Sequence, residues 1–336
     1  MTNDSPVLVT GGAGYIGSHA ALALREAGVP VVVLDDLSTG LRAAIPPGVP
    51  FVQGSTGDDA LVRDTLRRFG IGAVMHFAGS LIVAESLAHP IRYWRNNVSN
   101  TLALAESCVS AGVRRMVFSS TAAVYGPSSG WMVDEQAELS PSTPYGASKL
   151  AAERMLGDLA GAHGLSVAVL RYFNVAGTDM QGRIGQRTPG ATHLIKVACE
   201  VATGQRPSLS VFGNDYATPD GTCVRDFIHV SDLADAHVLA LRYLQGGGAS
   251  VTLNCGYGTG HSVQAVIQAV EAQTGWTLPV RPAPRRPGDI PVLVARAERI
   301  REVLGWAPRR TGLDQIIASS LRWEQRMMDE RLASAS

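Results

Sequence analysis

Within "STPYGASKLAAE", Ser142 to Glu153, a tyrosine stands four residues before a lysine. Of the 29 basic residues only two are lysines, Lys149 and Lys196. Arg and Lys form exposed helix about equally well, so a lysine one turn after Tyr145 in an arginine-rich chain points to a need for an ammonium. Thr143 and Pro144 read as an N-cap and first helical residue, which puts Tyr145 and Lys149 on one helix face. A free tyrosine has a pKa of about 10 and is a poor base near neutrality, and an adjacent ammonium favours its phenolate. A compact lysine also reaches a ribose hydroxyl more freely than a rigid guanidinium. A tyrosine packed at a helix start beside a solvated lysine would leave the same letters. A third set of hydroxyls, Ser119, Ser120 and Thr121 in "FSSTAAVYG", closes a strand-like run. That is the edge where open α/β sheets bind ligands, although an ordinary strand-end turn uses the same residue types.

The elements that position these groups are legible in the apolar pattern. Short β-rich runs, "VLVT", "VVVLDD", "FVQG", "AVMHFAG", "RMVFSS" and "VAVLRYFN", alternate with helix-length segments such as "SHAALALREAG" and "NVSNTLALAESCVSAG". Alternation of this kind predicts a parallel sheet with helices on both faces, its strands buried on both sides. "LVTGGAGYIGSH" follows the first strand and opens the first helix, setting Gly11, Gly12, Gly14 and Gly17 in overlapping G-x-G-x-x-G and G-x-x-G-x-x-G frames. Glycines there let the backbone approach a pyrophosphate at the positive end of a helix. A tight turn alone would also use them, but the second strand ends in Asp35, about 20 residues on, where a carboxylate accepts from an adenosine ribose. With no Arg immediately after it, NAD is expected over NADP. Asp36 is either a second ribose partner or a turn cap.

At 336 residues the chain has room for two lobes. A Gly-, Thr- and Pro-rich passage, "VAGTDMQGRIGQRTPGATH", is too long for an ordinary α/β connection. The division expected is a dinucleotide-binding lobe over 1–176 and a mainly substrate-binding lobe over 177–336, the two allowed to interleave. The tail "ASAS" is expected to fray. The 29 acidic residues balance the 29 basic ones without long runs of either sign, which argues against nucleic acid or an anionic membrane as partner and for a small molecule. Cys108, Cys199, Cys223 and Cys255 are far apart and read as reduced buried thiols, as in a cytoplasmic protein. No histidine spacing suggests a metal ligand set, and no signal peptide or membrane-spanning run is read from the sequence.

"TGGAGYIGSH", "HFAGS", "FSSTAAVYG", "PYGASK", "RYFNVAG", "FGNDYATPDGTCVRDFIHVSDLA" and "RRPGD" occur in order between about residue 7 and residue 306. The chain thereby resembles the extended short-chain dehydrogenase/reductase family, most closely its UDP-glucose 4-epimerase branch. The resemblance implies a Rossmann-type doubly wound sheet with a smaller mixed α/β lobe, NAD as cofactor, a UDP-sugar as substrate and a homodimer that pairs the helix after Asn97 with the Tyr145 helix. It implies Tyr145 as base, Lys149 as its tuner and ribose contact, and Thr121 as the hydroxyl on the sugar. For the cofactor it further implies Gly11, Gly14, Tyr15, Ile16 and Gly17, then Asp35, Asp36, Ser55 and Thr56. Phe77, Ala78 and Gly79 belong to the same implied set, with Asn97, Ser119 and Tyr172. On the substrate side it implies Asn174, Thr192, His193 and Leu194, Arg225 and Arg286 on the diphosphate, Asp289 on a ribose hydroxyl, Phe212 along the uracil and Leu293 walling the sugar pocket. From the residues alone, Arg225 could equally be paired to Asp226 or Asp232, and Arg286 could be a solvated loop charge.

Three positions depart from better-known members: Gly54-Ser55 replaces a Gly-Asp that reads the adenine, Leu81 replaces a cofactor-binding Lys, and Thr192-His193 replaces a pair of Asn. Related dehydratases and decarboxylases carry acids just after the active-site Thr, where this chain has Ala122-Ala123. C4 epimerisation of UDP-galactose and UDP-glucose is therefore the expected reaction. Epimerisation of a UDP-N-acetylhexosamine or UDP-pentose, dehydration or decarboxylation, and non-catalytic NAD sensing are the alternatives.

Overall fold

The computed structural model describes residues 5–127, 130–188 and 190–335. Met1 to Asp4 and the last residue of the "ASAS" tail lie outside the described residues, as does Pro189 within the Gly/Thr/Pro-rich passage.

The first half lays down β1 (Val7–Thr10), α1 (Tyr15–Glu26), β2 (Val31–Asp35), β3 (Phe51–Gln53), α2 (Asp59–Arg68), β4 (Ala73–His76), α3 (Val83–Ala88), α4 (Pro90–Trp94), α5 (Asn100–Ser110), β5 (Arg115–Thr121), β6 (Met132–Val133), α6 (Pro144–His163), β7 (Ser166–Tyr172) and β8 (Asn174–Ala176). Then follow α7 (Leu194–Ala202), β9 (Leu209–Phe212), β10 (Val224–His229), α8 (Val230–Gln245), β11 (Val251–Cys255), β12 (Gly260–Ser262), α9 (Val263–Thr274), β13 (Val280–Ala283), β14 (Val292–Ala295), α10 (Glu298–Leu304) and α11 (Leu313–Ala335).

Seven strands form a wholly parallel sheet in the order β11-β7-β5-β4-β1-β2-β3. Except at the edge strand β3, its strands are largely buried on both faces, and alternate residues divide between two cores. Val7, Val9, Val33, Met75 and Val117 face one, and Leu8, Val32, Val74, Met116 and Phe118 the other, as the period of two requires. The chain order reverses between β1 and β4, so the crevice beyond their carboxyl ends is where such a sheet takes a ligand.

A second sheet runs β12-β10-β14-β6 with β8 also on β10, and β13 pairs with β9. The halves interleave: β11 from the later half completes the large sheet, α8 packs on β5, β7 and α1, and β6 from the earlier half joins the second sheet. The passage from Gly177 to His193 has no helix or strand among its described residues. Side chains pin it instead: the Thr178 hydroxyl donates to Ile184 O, Arg183 pairs with Asp179, and Trp323 Nε1 donates to Gln186 O. The tail reads differently from the expected fraying, because α11 continues to Ala335. Among the described residues no helix is long and apolar enough to cross a membrane.

The segment expected as one helix from Asn97 is broken up. Between α4 and α5 the residues Arg95–Ser99 take a π-helical turn, a local widening often found at functional sites. Asn97 lies inside it, and its side chain accepts from Ser80 N–H (2.7 Å) and donates to Ser80 O and Ser148 Oγ (both 3.0 Å). The insertion thus aims one amide across to the "HFAGS" turn and to α6.

Candidate active site

The glycine turn is packed too closely for any side chain at its two critical positions. Gly11 has φ +69°, and a Cβ on it would stand 2.5 Å from Ala78 N; one on Gly17 would stand 2.2 Å from Gly11 O. The loop after β1 therefore lies directly against the loop after β4, at the strand-order reversal, and Phe77, Ala78 and Gly79 form the opposing wall. Gly14 begins α1 with no side-chain cap, leaving the helix start to backbone donors. Tyr15 turns away to donate its hydroxyl to Gly177 O (2.5 Å), and Ile16 packs on the core.

Asp35 ends β2 buried, accepting from Ala13 N–H (2.9 Å) and Leu37 N–H (2.8 Å). Burial pushes its carboxyl pKa up, and those two backbone donors oppose the rise. Leu37 is, among the described residues, the only non-glycine with positive φ, at 59°. Strain of that kind concentrates at binding sites, and nothing in the residue type announces it. Asp36 accepts from Ser38 N–H and Ser38 Oγ–H, so it caps the turn. Arg42 lies over the Phe51 ring at 4.6 Å. Ser55 Oγ accepts from Gly57 N–H, Thr56 beside it is buried, and Leu81 is exposed. A glycine cradle that no Cβ could enter, a helix start without a side-chain cap, and a buried carboxylate after β2 together fit a dinucleotide.

Thr143 caps α6 by accepting from Gly146 N–H, with Pro144 at the first position. Tyr145 and Lys149 then lie buried against the end of β5. The Thr121 hydroxyl lies beside Tyr145 and favours its charged form, and it accepts from Ala123 N–H at 3.1 Å. Lys149 Nζ donates to Ser119 O at 2.9 Å and sits 4.8 Å over the Phe118 ring. Ser119 Oγ lies 3.1 Å from His237 Nε2. Tyr93 meets Tyr145 edge-on with ring centroids 6.4 Å apart. The expected lowering of the tyrosine pKa is not the net result. Burial raises it, and the Thr121 hydroxyl opposes the rise. Burial likewise brings Lys149 down to about 8, with Glu153 opposing. An apolar enclosure penalises both charged forms, and here that effect outweighs the partners.

In the second lobe Arg225, Arg286, Asp289 and Phe212 form one cluster. Arg286 Nε donates to Asp289 Oδ2 (3.0 Å) and its guanidinium lies 4.7 Å over Phe212, while Arg225 Nη2 is 3.9 Å from Asp289 Oδ1. Neither alternative partner for Arg225 holds it: Asp226 accepts from the backbone of Tyr257, Gly258 and Ala295, and Asp232 binds Arg310 and Tyr257. Leu293 is buried on β14, in register with Arg225. The loop before it reaches the start of α6, where Ser142 Oγ approaches Gly288 O at 3.5 Å. Asn174 opens β8 beside β10. Thr192 is exposed, Leu194 starts α7, and His193 contacts Gln186 at 2.9 Å.

The NAD dependent epimerase/dehydratase family matches residues 7–256. The chain belongs to that family. A UDP-glucose 4-epimerase of Azospirillum brasilense is 56% identical over 326 residues, covering 97% of this chain and 94% of that protein. A crystal structure of the Brucella ovis UDP-glucose 4-epimerase in complex with NAD superposes with a TM-score of 0.92 at 42% identity, covering 96% of this chain and 98% of that one. The Bifidobacterium longum enzyme, in complex with NAD+ and UDP, has a TM-score of 0.90 at 36% identity, covering 96% and 98%.

Membership in the epimerase/dehydratase family directs attention to the residues beside Tyr145. Ala122 and Ala123 form the short 3-10 turn after Thr121, and neither side chain carries a proton. Among the described residues no group of three or more His, Cys, Asp or Glu could hold a metal ion. The second lysine is structural: Lys196 is buried between Glu324 (2.6 Å) and Glu200 (3.0 Å), joining α7 to α11.

Proposed function

We propose that the chain interconverts UDP-galactose and UDP-glucose by epimerisation at C4, with NAD as resident cofactor. The observation that carries this reading is the convergence of Thr121, Tyr145 and Lys149 at the edge of the sheet next to the glycine cradle, with alanines where a dehydratase needs an acid. Gly11, Gly14 and Gly17 would cradle the pyrophosphate and Asp35 the adenosine ribose, while Lys149 would donate to the other ribose. NAD, when bound, supplies a positively charged hydride acceptor that returns the hydride to the same carbon. Tyr145 Oη removes the proton from the sugar 4-hydroxyl as C4 becomes a ketone, and the Thr121 hydroxyl beside Tyr145 orients both. After the ketose turns over, Tyr145 returns the proton to the oxygen on its new face. Net redox change is zero, so the cofactor has no reason to leave.

Arg225 and Arg286 supply the positive charge for a UDP diphosphate, exchanging part of their hold on Asp289 for phosphate. Asp289 then accepts from the uridine ribose and Phe212 lies along the uracil. Asn174, Thr192, His193 and Leu194 complete the sugar side, with Leu293 as its wall. The apolar residues Leu87, Ile91, Trp94 and Leu102, all exposed along α3 to α5, support a homodimer that pairs α5 and α6 with a second copy. Four buried free cysteines support a cytoplasmic location.

The test is incubation of the purified chain with UDP-galactose and no added nucleotide, with the products separated by chromatography. UDP-glucose should accumulate to a fixed ratio from either direction. Recovery of a 4-keto-6-deoxy sugar, or no conversion of any UDP-sugar, would overturn the reading. Sedimentation at micromolar concentration should give twice the chain mass, and a monomer would refute the pairing.

A further inference from the structure

Tyr145, Lys149 and Glu153 follow one another at intervals of four along α6, so Glu153 continues the face that carries the base and its lysine. Its side chain and that of Arg171 on β7 are each only 6% exposed. Arg171 grips the carboxylate in a fork, with Nε at 3.1 Å from both oxygens and Nη2 at 2.6 Å from Oε2. Its Nη1 donates to Tyr125 Oη (3.1 Å), which donates to Asn254 Oδ1 (2.5 Å). The remaining bond is the informative one: the Ser120 hydroxyl donates to Glu153 Oε1. Ser120 stands between Ser119, whose carbonyl takes the Lys149 ammonium, and Thr121, whose hydroxyl lies beside Tyr145.

One carboxylate therefore joins the strand end to the helix at the level where the reacting groups meet. Stability alone is a poor reason for such a pair, because well-packed apolar residues in place of a buried ion pair are often neutral or stabilising. We propose that Glu153, locked by Arg171 and bonded to Ser120, is a positioning residue for the epimerisation: it sets the end of β5 against α6 so that Ser119 O and Thr121 meet Lys149 and Tyr145 in register. The carboxylate also favours the charged form of Lys149 against the effect of burial.

The inference rests on the epimerase reading and is tested with two variants measured beside the wild type. Ser120→Ala removes the link and leaves the ion pair whole. Glu153→Gln with Arg171→Met removes both charges together, so no lone charge is left buried. Each should lower kcat for UDP-galactose by about tenfold or more, part of the ~10²-fold that a 1 Å misplacement costs. The KM should change by less than about twofold, as expected when an interaction acts on the transition state alone, and the thermal midpoint of Ser120→Ala should stay within a few degrees. Undiminished kcat in both variants, beside an active wild type, overturns the brace and leaves the epimerase reading standing. A rise in KM that matches the fall in kcat, with a lowered thermal midpoint, also overturns it, because that is the pattern of general loosening.

Discussion

Gly17→Ala isolates the cofactor cradle from the rest of the fold. A Cβ at this position would lie 2.2 Å from Gly11 O, 2.9 Å from Gly11 C and 3.0 Å from Gly12 Cα. Ordinary contact begins at 3.4 Å, so α1 and the glycine turn must part by 1.2 Å, the difference between 3.4 and 2.2 Å. The turn has no room to retreat, because Gly11 itself backs onto Ala78 N. On helix propensity alone alanine would gain ~1 kcal/mol, and pressing a methyl against packed backbone costs ~1–3 kcal/mol. The net should therefore lie between no change and a loss of ~2 kcal/mol of stability. Binding should change far more, since a separation above 1 Å takes backbone donors out of the 2.7–3.2 Å range in which N–H···O bonds form, roughly. The expected outcome is a folded protein whose nucleotide affinity falls by at least ~10²-fold, or about 2.7 kcal/mol. Denaturing the purified wild type and variant and quantifying the released nucleotide reads this directly, and titration of the emptied proteins with NAD gives the ratio. A Gly17→Ala protein that purifies with the wild-type nucleotide complement would refute the steric reasoning.

Tyr145→Phe should lower kcat by ~10²–10⁴-fold with KM little changed, and near-normal turnover in a pure preparation would remove Tyr145 as the base. Leu293→Tyr should suppress UDP-N-acetylgalactosamine more than UDP-galactose, against a wild-type preference of ~10–200-fold for the unacetylated sugar; equal losses in kcat/KM on both would show that Leu293 is not the wall. Lys149, depressed to about 8 by burial, binds fewer protons folded than unfolded between that value and the free lysine value of about 10.4. Its stability cost is fully present below pH 8 and is relieved as pH rises toward 10.4. Lys149→Met should thus stabilise the protein more at pH ~7 than at pH ~10, and a gain in denaturant midpoint independent of pH would contradict the assigned burial effect.

The fold was legible wherever a local pattern and a buried face coincide. "VLVT" and "VVVLDD" end where β1 and β2 end to within a residue, because continuous β-branched runs have only one stable use in an alternating chain. Thr143 and Pro144 fixed the start of α6 for an equally local reason, the chemistry of helix caps. What could not be read was non-local. Nothing in "VTLNC" says that it completes the first sheet by lying beside β7, more than eighty residues earlier along register pairs such as Val251 with Ala168. The π turn at Asn97 was hidden because its residues are acceptable helix formers, and only the contacts with Ser80 and Ser148 give the inserted residue a use.

The site divides in the same way. Residue type and spacing were enough to bring Tyr145, Lys149 and Thr121 into one place, and sheet topology explains why: the end of a parallel strand and the start of the helix that covers it share one edge. The sign of the electrostatics was not accessible, because it depends on enclosure. An ammonium lowers a tyrosine pKa only if it approaches the phenol more closely than the apolar wall does, and here Lys149 spends its nearest bond on Ser119 O while burial acts on both groups. Two charged residues could have signalled the rest. Glu153 sits on the apolar-facing side of α6 and Arg171 inside the apolar strand "VAVLRYFN", and charged residues are almost never fully buried unless paired. Each was therefore a request for the other, and answering it leads to Ser120 and back to the strand end that receives Lys149.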